Sequence, residues 1–292
     1  MPRIYIFLPY FGKFPNYFQL YLDSLKMNKD ILTVFLITDI DLSSYCLPPN
    51  LIVAPMTIDD VRKRAANMLL SVFNRHVSPG DLIKTNYKLV DFKVTFPIMF
   101  NDLVVKHGIT ETDFVGFGDC DLIYGKISNF LKFENNYHII GGWHGHLIAF
   151  INTESFKLFF KDVPRFCELC VDNSKTFITD EIACRETLKG YIKKNNYNMF
   201  FTNLYFCDIV PPCFYYLFRP DHAKLEKNYF DVYNHSKNIK QLYYTNNQKL
   251  TVFYDDGSER EVLYCHLQKR AMTLPFTEYV DGYYIQEHGF AL

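Results

Sequence analysis

The first forty residues alternate between two apolar runs and one amphipathic segment, and this order restricts the fold most. Residues 3–9, RIYIFLP, and residues 31–39, ILTVFLITD, are β-branched and aromatic runs typical of buried strands. Between them, residues 16–26 place apolar side chains at helical spacing. Two strands joined through a helix run parallel, with a right-handed crossover. The sequence therefore predicts an α/β protein with a mixed, mostly parallel sheet flanked by helices.

Further segments continue this alternation of strands and helices. Thr57 is predicted to cap the helix that begins at Ile58, because Asp60 stands at the position that can complete the cap. Asp256 and Gly257 form a turn dipeptide typical of a β-hairpin. The predicted strands are residues 51–56, 114–117 and 146–153, the predicted helices are residues 58–74, 91–107, 155–160, 164–171 and 180–193, and residues 249–267 are predicted to form a C-terminal β-hairpin.

The 292 residues contain no internal repeat and no linker that would divide them. Asn, Tyr and Lys become frequent around residues 195–246, where Pro211 and Pro212 interrupt any regular element. We interpret this stretch as an insertion of loops, short strands and helical turns. The sequence therefore predicts a single domain over residues 1–292, with a loop and helix insertion around residues 195–246.

Charge and cysteine content narrow the class of protein. A formal net charge of -1 provides no basic field that attracts nucleic acid, so we expect no nucleic-acid partner. No apolar run is long enough to cross a bilayer, so no transmembrane segment is expected, and peripheral contact with a membrane stays open.

Cys167 and Cys170 have the spacing of a metal-binding pair, but no second pair completes a zinc site. We interpret the cysteines as reduced, which predicts a cytoplasmic protein.

Two carboxylates, Asp119 and Asp121, follow the strand predicted at residues 114–117 within the segment DFVGFGDCDLIYG. Ligands of open α/β sheets bind beyond the carboxyl ends of the strands, and Gly116 and Gly118 allow close approach to the backbone. Mg²⁺ and Mn²⁺ prefer oxygen ligands and are usually held by one or two carboxylates together with substrate phosphates. The pair therefore indicates a divalent-cation site for a diphosphate, although aspartate pairs are also common in turns that bind nothing.

Two other strand ends and a histidine could join this site. Pro9, Tyr10 and Phe11 follow the first predicted strand and Asp39 ends the second, so we expect them to border the same crevice. His266 leaves the C-terminal hairpin and is followed by two cationic residues. It could offer an imidazole to the metal, or it could be a partly exposed histidine that packs on the hairpin.

These segments resemble a known family. DFVGFGDCDLIYG resembles the DxD strand of glycosyltransferases with the Rossmann-like GT-A fold, and YCHLQKRAM, residues 264–272, resembles their C-terminal His-x-x-Lys element. The segments IFLPYFGKFPNYFQLYLDSL, FLITD, YKLVDFKVTF, GHLIAFINT and TDE are similar, in order and spacing, to a family of uncharacterised GT-A-like proteins from capsule and polysaccharide gene neighbourhoods. The resemblance extends from Ile4 to about Met272 and is loose over residues 195–245. It implies a GT-A-like fold.

The resemblance implies a role for each matching residue. The ligands of a Mn²⁺ or Mg²⁺ ion would be Asp119, Asp121 and His266, and Lys269 would lie near the diphosphate. Lys93 stands where related transferases have Arg, which keeps the charge but loses the bidentate hydrogen-bonding fork. The residues implied to bind the donor are Pro9, Tyr10, Phe11 and Asp39 at the nucleoside, Asp91 and Lys93 at the sugar nucleotide, and His146 at the donor sugar.

Asp180 and Glu181 open the helix predicted at residues 180–193. The resemblance implies that one of these carboxylates is catalytic and lies beside the acceptor or the anomeric carbon. A helix N-terminus explains an acidic pair equally well, because carboxylates there cap the chain and complement the helix dipole. In an inverting enzyme Asp180 would act as base on the acceptor hydroxyl. The His-x-x-Lys element is similar to that of retaining families, which favours retention.

The resemblance as a whole implies a metal-dependent glycosyltransferase that moves a sugar from a UDP- or GDP-linked donor to a hydroxyl of a glycan or glycolipid. One alternative is a sugar-phosphate nucleotidyltransferase, but LPYFGKFP, residues 8–15, lacks the Gly-rich basic phosphate loop that usually follows the first strand of that fold. Another is a non-catalytic carbohydrate-binding protein, against which the intact spacing of Asp119, Asp121 and His266 argues.

Overall fold

The computed structural model describes residues 1–142, 145–176, 184–202, 205–209, 216–217, 239–245, 249–268, 271–275, 281–286 and 288–292. Its strands are β1 (Ile4–Pro9), β2 (Leu32–Thr38), β3 (Leu51–Pro55), β4 (Phe114–Gly118), β5 (Leu122–Tyr124), β6 (Ile139–Gly141), β7 (Leu147–Ile151), β8 (Met199–Phe201), β9 (Phe206–Asp208), β10 (Tyr216–Leu217), β11 (Ile239–Thr245), β12 (Leu250–Tyr254), β13 (Glu259–Glu261), β14 (Tyr264–His266), β15 (Gly282–Ile285) and β16 (Phe290–Ala291). Its α-helices are α1 (Phe18–Lys26), α2 (Ile58–Phe73), α3 (Phe96–Met99), α4 (Asn101–Lys106), α5 (Glu154–Lys157), α6 (Phe166–Val171) and α7 (Cys184–Asn195). Turns of 3-10 helix cover Pro79–Asp81, Asn86–Thr95, Ile127–Asn129, Phe133–Asn135 and Phe159–Asp162.

The largest sheet of the described chain has seven strands in the order β3-β2-β1-β4-β7-β6-β8. Strands β3, β2, β1 and β4 run parallel, β7 is antiparallel to both β4 and β6, and β8 is parallel to β6. The predicted α/β class with a mostly parallel sheet is therefore confirmed. The chain moves from β1 outward to β2 and β3, then returns to β4 on the other side of β1. Such a switch in strand order opens a crevice at the carboxyl ends of β1 and β4.

Alternate side chains of the central strands enter two separate apolar cores. In β1, Phe7 packs with α2 on one face of the sheet, whereas Ile6 and Leu8 pack with α1 on the other. Covering both faces explains why these parallel strands are continuous apolar runs in the sequence. The predicted cap of α2 is also confirmed, because the Thr57 hydroxyl accepts from the Asp60 backbone N–H and the Asp60 carboxylate accepts from the Thr57 N–H.

A second sheet, of four strands, has the order β10-β9-β14-β5. Strand β14 lies in its centre, antiparallel to β5 and parallel to β9. Strand β5 follows β4 after the short connection that contains Asp119 and Asp121. This sheet therefore joins the end of the central strand β4 to a strand from the C-terminal part of the chain.

The third sheet, β13-β12-β11-β15-β16, contains the antiparallel pair β12 and β13 around the predicted turn, where Gly257 has φ +80°. The hairpin was predicted to continue to Leu267, but residues 264–266 leave it and form β14. Tyr264 and Cys265 are 1% and 0% exposed. A strand buried on both sides has its hydrogen-bonding groups satisfied in the middle of a sheet, so it lies between β9 and β5.

The helix predicted at residues 91–107 is divided into a 3-10 segment, Asn86–Thr95, and the short helices α3 and α4. Pro97 lacks a backbone N–H and restricts the preceding residue, which disfavours a continuous helix. Thr95 is fully buried and its hydroxyl donates to the Phe92 carbonyl oxygen. The tighter segment runs past the carboxyl ends of β1 and β4, where it lines the crevice.

Residues 195–246 contribute more to the sheets than the predicted insertion implied. Strand β8 extends the seven-stranded sheet, β9 and β10 belong to the second sheet, and β11 lies in the centre of the third. The assignment of residues 1–292 to a single domain stays a prediction. Among the helices that the structure describes, none combines the length and the apolar character needed to span a bilayer.

Candidate active site

Asp119, Asp121 and His266 come together beyond the carboxyl end of β4. One possible ligand atom from each lies within 4.8 Å of those from the other two. His266 Nε2 is 3.3 Å from Asp121 Oδ2. The approach follows from strand pairing, because His266 is opposite Leu122 in the β14–β5 ladder and the Leu267 N–H donates to the Asp121 carbonyl oxygen.

The two aspartates differ in their surroundings. They flank Cys120, whose side chain is buried in an apolar core. The Asp121 side chain is 1% exposed, whereas that of Asp119 is 12% exposed and lines a cavity. The Asp119 N–H donates to the His146 carbonyl oxygen at 3.0 Å, which anchors the connection to β7. Asp119 is therefore open to a ligand in the crevice, while Asp121 lies behind it against His266.

Lys93 provides a cation at the same place. Its ammonium group is 3.0 Å from Asp119 Oδ1 and donates to the Gly145 carbonyl oxygen at 3.1 Å. Lys93 also lines the cavity, and its side chain is only 9% exposed. A buried positive charge beside a carboxylate at the mouth of a crevice suits an anionic ligand whose charge can compete for it.

His266 contacts a second carboxylate through its other ring nitrogen, with Nδ1 3.0 Å from Asp208 Oδ1. Burial by itself would lower the pKa of His266, but the carboxylates of Asp121 and Asp208 more than reverse that effect and raise the pKa to about 10. In the absence of a metal ion, the ring therefore carries a proton on both nitrogens at neutral pH.

This raised pKa makes the stability of the metal-free protein depend on pH. His266 binds its proton more tightly in the folded state, with a pKa of about 10 against the ordinary 6.5. Its stabilising contribution is present below pH 6.5 and is lost as the pH rises to about 10. We expect the Tm of the native protein, relative to that of His266→Gln, to fall over this range in EDTA. A difference in Tm that stays constant would contradict the charged pairing.

A cavity of about 260 Å³ lies next to Asp119. Tyr10 stacks on Phe14 with ring centroids 4.7 Å apart, and its hydroxyl donates to the Lys13 carbonyl oxygen. Asn86 donates from its side-chain amide to the Phe11 carbonyl oxygen at 2.9 Å, which joins the end of β1 to the 3-10 segment. The lining consists of residues 8–13 from the end of β1 and the loop after it, Gly118, Asp119 and Cys120 from the end of β4 and the connection after it, and Asn86, Tyr87, Leu89, Val90, Lys93 and Phe96 from the 3-10 segment and α3.

Several predicted donor-binding residues lie at this cavity and others do not. Pro9, Tyr10, Phe11 and Lys93 line it. Asp39 is exposed at the end of β2 and is not part of the lining.

Asp91 has surroundings unlike those predicted, because it is 1% exposed and pairs with Lys88 at 3.0 Å. Lys88 also donates to the carbonyl oxygens of Leu169 and Lys175. The Asp91 carboxylate is therefore used to attach the 3-10 segment to α6 and does not line the cavity.

His146 lies beside His266, one of the three possible metal ligands. Its ring is buried and its centroid is 3.7 Å from that of His266. The predicted catalytic residues Asp180 and Glu181, and Lys269 at the predicted diphosphate, lie outside the described residues.

Asp208 was not predicted as a site residue. It lies in the stretch interpreted as an insertion, and it is the third member of a second possible ligand group with His146 and His266. A signal was present, since Asp208 ends the apolar run LYFCD, residues 204–208, much as Asp119 ends the run at β4. A carboxylate directly after a short buried strand marks a strand end and a candidate site.

No curated protein and no solved structure gives a significant match to the chain. The family of unknown function DUF6625 matches residues 6–291, which is nearly the entire sequence. The chain therefore belongs to the family DUF6625.

Proposed function

We propose that this protein is a metal-dependent glycosyltransferase of the GT-A type, which moves a sugar from a nucleoside-diphosphate sugar to a hydroxyl of a glycan or glycolipid. One observation carries the proposal: Asp119, Asp121 and His266 gather within 4.8 Å of one another at the switch point of a mostly parallel sheet, beside a cavity. Nucleotides bind to α/β sheets of this kind at the same position.

The residues present suit a divalent cation. Two carboxylates and one imidazole are ligands that Mn²⁺ accepts, and the carboxylates also suit Mg²⁺. Asp121 is almost fully buried, so its charge requires a positive partner, which His266 provides in part. Asp119, Asp121 and His266 would hold the ion. When bound, the ion supplies positive charge that stabilises a departing diphosphate.

The protein's own residues would orient the donor around that ion. The cavity beside Tyr10 and Phe11 is close to the lower end of ligand-pocket volumes, which fits a nucleoside better than an entire nucleotide sugar. The remaining diphosphate would then extend toward Asp119 and Lys93. Lys93 would exchange part of its pairing with Asp119 for a phosphate oxygen, which keeps its buried charge compensated.

The stereochemical course rests on the sequence. The His-x-x-Lys element favours retention, and Asp180 or Glu181 is the candidate carboxylate at the acceptor or the anomeric carbon. Lys269 would add a second cation at the diphosphate. UDP and GDP are the two nucleoside diphosphates to compare, because the resemblance implies a UDP- or GDP-linked donor.

Calorimetric titration with UDP and with GDP, each with and without Mn²⁺, tests the proposal. We expect one of them to bind in the presence of Mn²⁺, and at least about ten times more weakly without it. Slow hydrolysis of sugar nucleotides with the preferred base would then identify the donor sugar. Failure of both diphosphates to bind with Mn²⁺ present would reject the transferase and favour a non-catalytic carbohydrate-binding protein. Pyrophosphate release from a nucleoside triphosphate and a sugar phosphate would instead indicate a nucleotidyltransferase.

A further inference from the structure

Asp208 is a buried carboxylate that has no role in the proposed reaction as described above. It is the last residue of β9 and is 5% exposed. The parallel pairing of β9 with β14 sets Asp208 opposite His266, and the Ile209 N–H donates to the His266 carbonyl oxygen at 3.2 Å. A carboxylate in such a place is costly unless hydrogen-bond donors face it. The groups that face Asp208 therefore decide whether its charge is compensated.

Two side chains donate to Asp208 from the end of β14. His266 Nδ1 is 3.0 Å from Oδ1, and Gln268 Nε2 is 3.3 Å from each carboxylate oxygen. Gln268 has φ +55°, a left-handed conformation that is uncommon for a residue with a side chain. This backbone turn after β14 brings the Gln268 amide to the same carboxylate as His266. The hydrogen bonds to Asp208 compensate for the unfavourable backbone conformation of Gln268.

The two nitrogens of His266 are thus divided between two carboxylates. Nδ1 faces Asp208, and Nε2 faces Asp121, which belongs to the proposed metal-ligand group. A histidine that binds a metal almost always donates its other N–H to a carboxylate, a carbonyl or water, and this contact fixes the tautomer and the ring orientation.

Asp208 could instead bind a metal ion directly. His146, Asp208 and His266 form a second group whose possible ligand atoms lie within 4.8 Å of one another. The hydrogen bonds argue against it. The Gln268 amide directs N–H groups at both Asp208 oxygens, and an ion bound there would face these positively polarised hydrogens.

We infer that Asp208 is a positioning residue: it accepts the Nδ1–H of His266 and thereby directs the Nε2 lone pair toward the ion held with Asp119 and Asp121. The inference rests on the proposed metal-dependent function. Gln268 supports it by fixing the orientation of the Asp208 carboxylate.

Mn²⁺ affinity of the native protein and of Asp208→Asn and Asp208→Ala, measured by the electron paramagnetic resonance of free Mn²⁺, tests the inference. We expect the native protein to bind one ion and Asp208→Ala to bind it about 10 to 100 times more weakly. Asp208→Asn keeps the shape and a neutral acceptor, so its affinity should fall between the two. This variant also provides the measurement if the alanine variant does not fold.

A spectroscopic readout separates positioning from a general structural role. With Cd²⁺ as a diamagnetic probe, the native protein should show a slowly exchanging, downfield Nδ1–H proton from His266. His266→Gln identifies this resonance by its loss, and Asp208→Ala should lose it as well.

The outcomes are distinct. Equal Mn²⁺ affinity in the native protein and Asp208→Ala would overturn the positioning role and leave the proposed function intact. Binding of two Mn²⁺ ions by the native protein and of one by Asp208→Ala would indicate a second metal site that includes His146, and would also overturn the positioning role. No Mn²⁺ binding by the native protein would overturn both the inference and the proposed function.

Discussion

Asp121→Asn is expected to abolish metal-dependent binding of the nucleoside diphosphate, with affinity reduced at least about 100-fold, or about 2.8 kcal/mol. The amide has the shape of the carboxylate but lacks the charge that holds a divalent ion. Asp121 is almost fully buried and its Oδ2 is 3.3 Å from His266 Nε2, so the substitution removes a buried negative charge from the group of possible ligands. The loss should appear with Mn²⁺ present and be small without it.

Calorimetry with the diphosphate preferred by the native protein provides the measurement. Asp59→Asn is a suitable control, because it removes an exposed carboxylate of α2 that pairs with the partly exposed Arg62. That variant should bind like the native protein. Thermal unfolding in EDTA shows whether Asp121→Asn is folded. Undiminished Mn²⁺-dependent binding by a folded Asp121→Asn would remove Asp121 from the metal site and reject the ligand set.

The position of the crevice could be predicted from the sequence because it depends on local patterns. Each parallel strand is an apolar run, and the residues after it lie at one edge of the sheet. Pro9, Tyr10, Phe11 and Asp119 accordingly border one cavity. Asp39 does not, because β2 lies on the far side of β1 from β4 and the crevice opens between β1 and β4.

The partners of the site residues could not be predicted in the same way. His266 reaches Asp121 through the pairing of β14 with β5, and Asp208 reaches His266 through the pairing of β14 with β9. Such pairings join distant parts of the chain and produce no periodic pattern in the local sequence. The burial of Asp91 had a local signal, since Lys88 precedes it by the i,i+3 spacing of a helical ion pair.

Of the two glycines before the carboxylates, Gly118 lines the cavity, whereas Gly116 has a role different from the one predicted. The sequence indicated that Gly116 and Gly118 let a ligand approach the backbone. In the structure the close approach at Gly116 is that of β7, since Gly116 pairs with Ala149. A Cβ at Gly116 would lie 2.5 Å from Ala149 Cα and 2.8 Å from Ile148 C, and closer still to the Ile148 oxygen.

Gly116→Ala should therefore destabilise the protein strongly. The clash is with backbone, which cannot rotate away as a side chain can, so β4 and β7 would have to separate. We expect a loss of about 3 kcal/mol or more in the free energy of unfolding, a decrease in Tm of at least roughly 6 °C. Urea and thermal unfolding measure both quantities. Because Asp119 follows β4 and its N–H is bonded to His146 just before β7, Mn²⁺ affinity should decrease as well.

Gly190→Ala is the matched control, because it makes the same chemical change at a glycine of α7 where an added Cβ would meet nothing within 4 Å. Alanine favours a helix over glycine by about 1 kcal/mol, so the Tm of this variant should stay the same or rise. Opposite signs for the two variants would attribute the loss at Gly116 to the contact between β4 and β7. A native-like Tm for Gly116→Ala would mean that these strands can separate without cost, and then the connection with Asp119 and Asp121 would not be held by the sheet.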